Sequence, residues 1–414
     1  MSFEDHQTLT HPKTLAHPIS GERRGLRSGL VEIILRTLLR RLEFGQLIID
    51  TPEGRRLTFD GIQPGPHARF RVHSWKCLGR LAAGWDLGLA EAYMAGEVSS
   101  PNMAAVLRLA DMNEKVADRL KPLRPPSTWG RLRHAMNRNT RRGSQRNISA
   151  HYDLGNEFYR HWLDSGMTYS AGLFSSSTQT LEDAQHAKLE RVADLLNMTG
   201  GENVLEIGCG WGSLAERLLQ QNSCEVTGIT LSAAQHAYAR RRLHDHVMEG
   251  RCDLRLEDYR EVTGTFDRIV SIEMLEAVGE AYWPVYFAKL RSSLNRGGTA
   301  VLQVITIDES RFDDYRRRPD FIQKYIFPGG MLPTASLVER LAGNAGLRLV
   351  SSEFFGDSYA RTLEIWQQRF QQAWPGIKPL GFDERFKRTW EYYLDYCQVG
   401  FETSAINVGL YKFT

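Results

Sequence analysis

The sequence predicts an α/β fold in which a mostly parallel sheet, closed at one edge by an antiparallel hairpin, follows a small α+β domain. Three observations carry this expectation. From residue 185 onward, short apolar runs of strand length alternate with helical segments, which is the pattern of a parallel sheet covered on both faces. The first of those runs leads into the glycine-rich segment VLEIGCGWG at 204–212. Two late runs, LRLVSSEFF and INVGLYKF, flank a long helical stretch and suit an antiparallel edge. A chain of 414 residues is also long for one core, so two domains are expected.

In chain order, residues 1–25 have the polar, Pro-broken composition of a disordered tail. Between Leu26 and Leu42 the apolar residues Leu26, Leu30, Val31, Ile34, Leu35, Leu38, Leu39 and Leu42 recur at helical spacing, and the natural place for such a stripe is against its own domain. GQLIID, RRLTFDG and ARFRVHS, broken by Pro52-Glu53-Gly54 and Pro64-Gly65-Pro66, read as a β-meander. Helical pattern returns at Leu87–Met94 and Asn102–Met112. Residues 26–120 are therefore assigned to an N-terminal α+β accessory domain and 121–146 to a linker. Residues 147–414 form the catalytic domain, with strands at Asn203–Ile207, Glu225–Ile229, Phe266–Ile272 and Thr299–Ile305.

Composition narrows the setting. Hydrophobic residues make up 42% of the chain and charged residues 24%, as in an ordinary globular protein, and the formal net charge is only +3. The whole-chain balance therefore gives no reason to expect nucleic acid as a partner. The five cysteines form no CxxC pair, which argues against a zinc site or a disulfide framework and fits a reducing cytoplasm. No apolar run reaches the roughly 18–20 residues that span a bilayer, and the N-terminus lacks a signal-peptide core. Charge is instead concentrated in the linker, where residues 121–146 hold eight Lys and Arg and no Asp or Glu. A solvated linker would account for that run; so would attraction to anionic headgroups, at about 1 kcal/mol per cation near the surface.

The segment at 204–212 carries the chemistry. An apolar strand runs into Glu206, then Gly208, Gly210 and Gly212 at GxGxG spacing, and a helix follows. Glycine lets the backbone turn sharply and come close to a ligand, and the helix N-terminus offers free N–H groups. A dinucleotide site would set its third glycine one residue later. This spacing, with an acid before it, is the pattern of class I, Rossmann-like methyltransferases that use S-adenosylmethionine (SAM), where the loop cradles the amino-acid end of the co-substrate. At the end of the second strand, VTGITLSAAQ offers Thr230, Ser232 and Gln235 as polar candidates. At the end of the third, Asp258 offers a carboxylate for the adenine amino group or for a helix N-cap.

Further segments resemble one family. HYDLGNEFYRHWLD (151–164), MTYSAGLF (167–174), VLEIGCGWGSLA (204–215), VTGITLSAAQ (226–235), FDRIVSIEMLEAVG (266–279), KYIFPGGMLP (324–333) and RTWEYYLDYCQVGF (388–401) are similar, in order, to the cyclopropane-fatty-acyl-phospholipid synthases. GQLIIDTPEGRRLTFDG and GLAEAYMAGE resemble that family's accessory domain. The resemblance implies SAM-dependent methyl transfer to the double bond of an unsaturated phospholipid acyl chain, giving a cyclopropane or a methyl-branched product. Two alternatives accompany it: a methylase in furan-fatty-acid formation, and a small-molecule amine methyltransferase of the same superfamily. It also implies work on a phospholipid membrane surface, from the cytoplasmic side and peripherally attached to the inner face of the membrane. A homodimer is compatible with the reading.

For the site, the resemblance implies that Tyr169 and Ser170 join the glycine loop on SAM. It further implies a bound bicarbonate as the base that quenches the carbocation, held by a cysteine, a glutamate, a histidine, the backbone at an isoleucine, and a tyrosine. Glu276, Ile305 and Tyr359 match three of these. The cysteine position is Ala171 and the histidine position is Gln303. Gln303 still offers an amide donor, whereas the Ala171 side chain offers nothing, so bicarbonate is expected to bind more weakly. Tyr152, Tyr169 and Tyr325 are candidate π-faces toward the cation, with Tyr325 the one best explained as core.

Two outcomes are expected from these readings. Gly210→Val should abolish SAM binding in calorimetry while the protein still folds; affinity at the level of the unsubstituted protein would remove the loop assignment. Vesicle binding should rise with anionic lipid and weaken with salt, because the Debye length shrinks to about 3 Å at 1 M.

Overall fold

The computed structural model describes residues 29, 31–33, 35–37, 39–114 and 154–414. The tail at 1–25, the basic linker at 121–146 and Tyr152 lie outside the described residues, as do Leu26, Leu30, Ile34 and Leu38 of the N-terminal stripe.

The N-terminal part is a four-stranded sheet in the order β2-β1-β3-β4, made of β1 (Phe44–Asp50), β2 (Arg56–Asp60), β3 (Gln63–Val72) and β4 (Val98–Ser99). The meander expectation is overturned. β1 and β2 are antiparallel, but β1 and β3 run parallel, and Pro64-Gly65-Pro66 lies within β3 rather than in a turn. From β2 the chain crosses the start of β1 to reach its other side, and glycines make that crossing possible. Gly45 sits at φ +73, where Gly61 N–H bonds its carbonyl. A Cβ on Gly61 or Gly65 would stand 2.6 Å from Phe44 backbone or 2.7 Å from Gly45 backbone. Helices α1 (Lys76–Met94) and α2 (Met103–Met112) cover this sheet. Asn102 caps α2 by accepting from Ala105 N–H. Just past its other end, buried Asn113 accepts from Glu43 and Phe44 N–H and donates to the Phe44 and Leu109 carbonyls, tying α2 to β1.

The larger sheet has seven strands in the order β10-β11-β9-β8-β5-β6-β7. β5 (Asn203–Ile207), β6 (Glu225–Thr230), β7 (Cys252–Leu256), β8 (Phe266–Ile272) and β9 (Leu294–Ile307) are parallel. β11 (Ile406–Phe413) inserts antiparallel between β9 and β10 (Leu349–Phe354), so the expected edge hairpin is present. Helices α3 (Leu181–Leu196), α4 (Ser213–Gln221), α5 (Ala233–Arg242), α6 (Trp283–Ser293), α7 (Glu309–Arg317), α8 (Ala335–Asn344), α9 (Gly356–Ile377) and α10 (Glu384–Glu402) complete the fold. Strand order reverses between β5 and β8, and the crevice at the carboxyl ends there is where open α/β sheets place ligands.

One apolar core joins the two parts. Phe158, Trp162, Trp366 and Trp390 are almost wholly buried and meet edge to face, at 5.8 Å for Phe158–Trp162 and 5.6 Å for Trp162–Trp366. The same core continues into Leu57, Phe70 and Met94 of the accessory part. Ion pairs close the seam: Lys324–Glu91 at 2.7 Å, Arg108–Glu402 at 2.5 Å, and Arg311 to both Asp111 and Glu114. All five cysteines are unpaired. Among the described residues, no helix is long and apolar enough to cross a membrane.

Within the seam, Tyr93 OH donates to Glu391 on α10, and one turn further on Asp395 is buried against the same carboxylate. Burial, with Glu391 beside it, pushes the Asp395 carboxyl up from 3.8 to about 8. Such an acid favours the folded state fully only below its unfolded value. The contribution is lost as pH rises toward 8. Asp395→Asn should therefore raise Tm by several degrees at neutral pH, with a gain that grows from about pH 4 to about pH 8 and then levels off; scanning calorimetry across that range checks it.

Candidate functional site

A cavity of about 880 Å³ opens at the switch point between β5 and β8. Its inner end is the glycine loop. Gly208, Gly210 and Gly212 all have positive φ, at +83, +54 and +87. A Cβ on Gly208 would meet the Met274 side chain at 2.5 Å, so this glycine packs the loop on the segment just past β8. A Cβ on Gly210 would meet no atom of the described residues within 4 Å, and Gly210 lines the cavity. Gly212 is the N-cap of α4 and does not itself line the cavity.

Around the loop, each candidate side chain has a definite setting. Glu206, at the end of β5, is buried with Oε2 lacking any hydrogen-bond partner. Burial pushes its carboxyl up to about 8, opposed by the charge of Lys188. Thr230 donates to Gln235 Oε1 at 2.9 Å, and both line the cavity. Ser232 caps α5 by accepting from Gln235 N–H and stands behind them. Asp258 is held by Arg260 at 2.8 and 2.6 Å; its neighbours Glu257 and Tyr259, not Asp258, line the cavity. Tyr169 OH shares a hydrogen bond with Tyr393 OH at 2.9 Å. Ser170 is fixed from two sides, with Gln185 donating to its carbonyl at 2.7 Å and Lys188 Nζ donating to its Oγ at 2.9 Å. Lys188 is 1% exposed, and burial pulls its ammonium down to about 8. Gln185 and Lys188 did not emerge from the sequence. Their signal was a polar pair at i, i+3 on the apolar face of α3.

SAM fits this end of the cavity. The space beside Gly210, the unpaired Glu206 oxygen available to an ammonium, and the Thr230–Gln235 pair are the donor set and clearance that its amino-acid and ribose parts require.

The residues assigned to bicarbonate are arranged differently. Glu276 accepts from Ile305 N–H through Oε1, and its Oε2 is buried without a partner. Burial and the nearby Glu273 push this carboxyl up to about 8. Gln303 and Tyr359 do not face an empty seat. Gln303 Nε2 donates to Glu273 Oε1 at 2.7 Å, Ala171 N–H donates to the same oxygen at 3.0 Å, and Tyr359 OH donates to Glu273 Oε2 at 2.8 Å. Position 171 thus contributes through its backbone, where its side chain had been expected to contribute nothing. Glu273 itself escaped the sequence reading. It ends the apolar run IVSIE three residues before Glu276, and an acid closing a buried parallel strand was the available signal. Its backbone is left-handed at φ +51, rare for a residue with a side chain. Burial raises its carboxyl, while the three donors and Lys188 pull it back down. These residues, already bonded to a carboxylate of the chain, do not fit an added bicarbonate. Tyr325 donates to Glu91 in the domain seam and does not line the cavity.

Beyond the carboxylates the cavity wall carries the apolar side chains Ile305, Ile307, Phe327, Met331, Val399 and Phe401, and at α2 of the accessory part Leu107 and Ala110 stand beside the charged Asp111, Glu114 and Arg311.

Known proteins are similar to this chain. The family model described as mycolic acid cyclopropane synthetase matches residues 139–411. The chain is 38% identical over 332 residues to the tuberculostearic acid methyltransferase UfaA1 of Mycobacterium tuberculosis, covering 78% of this chain and 77% of that protein. It is 37% identical over 260 residues to the cyclopropane-fatty-acyl-phospholipid synthase of Escherichia coli K12, covering 62% and 65%. Among solved structures, mycolic acid cyclopropane synthase CmaA1 with SAH and CTAB superposes with a TM-score of 0.61 at 28% identity, over 65% of this chain and 97% of that one. Coclaurine N-methyltransferase, at 22% identity and a TM-score of 0.58, shares the fold. With a glycine loop shaped for SAM at one end of the cavity and an apolar channel at the other, the chain belongs to the mycolic acid cyclopropane synthetase family and is a SAM-dependent methyltransferase of lipid acyl chains.

Proposed function

We propose that the protein methylates the double bond of unsaturated acyl chains in membrane phospholipids, attached peripherally to the inner face of the membrane, and that its product is methyl-branched rather than a cyclopropane. The observation that carries this is the apolar channel leading from the accessory helix α2 to the carboxylates beside the SAM loop. A hydrocarbon chain needs such a channel; a soluble amine does not. The name of UfaA1, a fatty acid methyltransferase rather than a cyclopropane synthase, supports the branched product.

When bound, SAM supplies an electrophilic methyl group, whose transfer to the alkene leaves a carbocation on the chain. What the protein contributes is orientation, charge and dryness. Gln185 and Lys188 fix Ser170. The Tyr169–Tyr393 pair sets aromatic faces at the cavity wall. Ile305, Phe327 and Val399 keep water from the cation, which water would otherwise trap as an alcohol. Glu273 and Glu276 supply negative charge where positive charge develops. The departures at Ala171 and Gln303 matter because both now serve the carboxylate of Glu273, not because they weaken a bound anion.

The test is incubation with methyl-labelled SAM and vesicles of monounsaturated phospholipid, followed by gas chromatography with mass spectrometry of the acyl chains. Label should enter the lipid as a methyl-branched unsaturated chain; a purely cyclopropane product would overturn the product assignment, and label in added amines but not in lipid would overturn the substrate class. Ala110→Trp narrows the rim without touching the core, since Ala110 is exposed. It should lower lipid methylation several-fold and leave SAM affinity unchanged.

A further inference from the structure

We propose that Glu273 is the catalytic base of the methyl transfer, a carboxylate built into the chain at the place of an exchangeable bicarbonate, so that the reaction runs without added anion. The inference rests on the functional reading above and deepens it.

Three independent donors converge on one side chain: Ala171 N–H and Gln303 Nε2 on Oε1, and Tyr359 OH on Oε2. They come from three separate segments, the TYS loop, β9 and α9. Two of these positions, 171 and 303, are those at which the chain departs from the cysteine and histidine expected around bicarbonate, and Tyr359 is the tyrosine expected there. The donors have thus been kept or re-supplied, while the acceptor has changed from a free ion to a side chain. A glutamine amide suits this task, because it can donate to a carboxylate at every pH.

The backbone pays a strain cost to place the acid. Glu273 is held at φ +51, and its own N–H is tied to the Gln303 carbonyl at 2.8 Å. A left-handed side-chain-bearing residue at a cavity wall points to function more readily than to packing. Glu273 lines the cavity together with Tyr359, Glu276 and Lys188. The Lys188 ammonium, buried and, among the described residues, without a carboxylate in ion-pair contact, is the nearby counter-charge that favours the ionised base.

The step balances as follows. The alkene electron pair forms a new C–C bond to the methyl carbon as the C–S bond breaks, and that pair leaves on sulfur. Glu273 then takes a proton from a carbon next to the cationic centre, and the C–H pair becomes the new C=C bond. The products are a methylated alkene, S-adenosylhomocysteine and protonated Glu273, which returns its proton to water when the cavity empties. No oxidant or reductant is needed.

The experiment pairs activity with binding. Methyl transfer to vesicles is measured in carbon-dioxide-stripped buffer, with and without millimolar bicarbonate, and ¹³C-bicarbonate binding is followed separately by NMR. The unsubstituted protein should be equally active in both buffers and should not bind bicarbonate. Glu273→Gln, which keeps the shape, should lose about a hundredfold or more of the rate with SAM affinity and fold intact, and bicarbonate should not restore it. Glu273→Gly, which vacates the seat and suits the positive φ, should bind ¹³C-bicarbonate and regain activity when it is added. Near-full activity of Glu273→Gln, or bicarbonate binding by the unsubstituted protein, overturns the proposal. The NMR arm does not depend on the lipid being the substrate. Absence of lipid methylation in every buffer, with bicarbonate bound only by Glu273→Gly, would therefore fault the substrate reading and leave the seat assignment standing.

Discussion

Everything in the catalytic part is arranged around charge that has been taken out of water. Glu206, Glu273 and Glu276, near the carboxyl ends of β5 and β8, and Lys188 of α3 line one cavity, Glu206 and Lys188 buried and the other two half-buried. Ionised groups are costly there unless they are paired or hydrogen-bonded. The protein meets that cost unequally. Glu273 receives three donors from other segments and Glu276 only the Ile305 N–H besides its own, while Glu206 and Glu276 each keep an oxygen with no partner among the described residues. The inequality divides the roles: three donors and Lys188 oppose the upward push of burial on Glu273, while burial pushes Glu206 and Glu276 up to about 8 and leaves them responsive to what enters the cavity.

The rest of the fold keeps that wall dry and rigid. Within the aromatic group of Phe158, Trp162, Trp366 and Trp390, Trp162 and Trp366 pack against Tyr169 and so back the loop at 167–174. Helix α10 serves two surfaces at once. Tyr393, Tyr396, Val399 and Phe401 face the cavity, while Glu391 and Tyr392 meet α1 of the accessory part. The accessory sheet is thus no appendage, since its helices supply both the outer end of the channel and one side of the α10 packing.

How much of this was written in the sequence depends on the range of the interaction. The parallel strands, the GxGxG loop and the edge hairpin follow from local periodicity and glycine spacing, and each appears where expected. Gly208 and Gly210 need positive φ for reasons visible in nine residues. The β1–β3 pairing was hidden because it depends on three glycines, separated in sequence, that allow one strand to cross another at backbone contact distance. Glu273 was hidden for a similar reason. Its donors sit 102, 30 and 86 residues away along the chain, so no local pattern marks it. The two departures at 171 and 303 were noticed separately, but only their convergence on one side chain shows that they compensate together. Asp258 was legible as a polar strand end, and its bidentate bond to Arg260 was not, although the two are only two residues apart.

The double attachment of α10 has a mechanical consequence. A helix that forms a wall of the channel on one face and a docking surface for the accessory helices α1 and α2 on the other cannot shift without changing both. A displacement of Val399 or Phe401 in the cavity wall would carry through the helix body to the seam at Glu391, Tyr392 and Arg108–Glu402. The accessory part then acts as a buttress. It gives this wall of the cavity a second support beside its packing on α9 and β11.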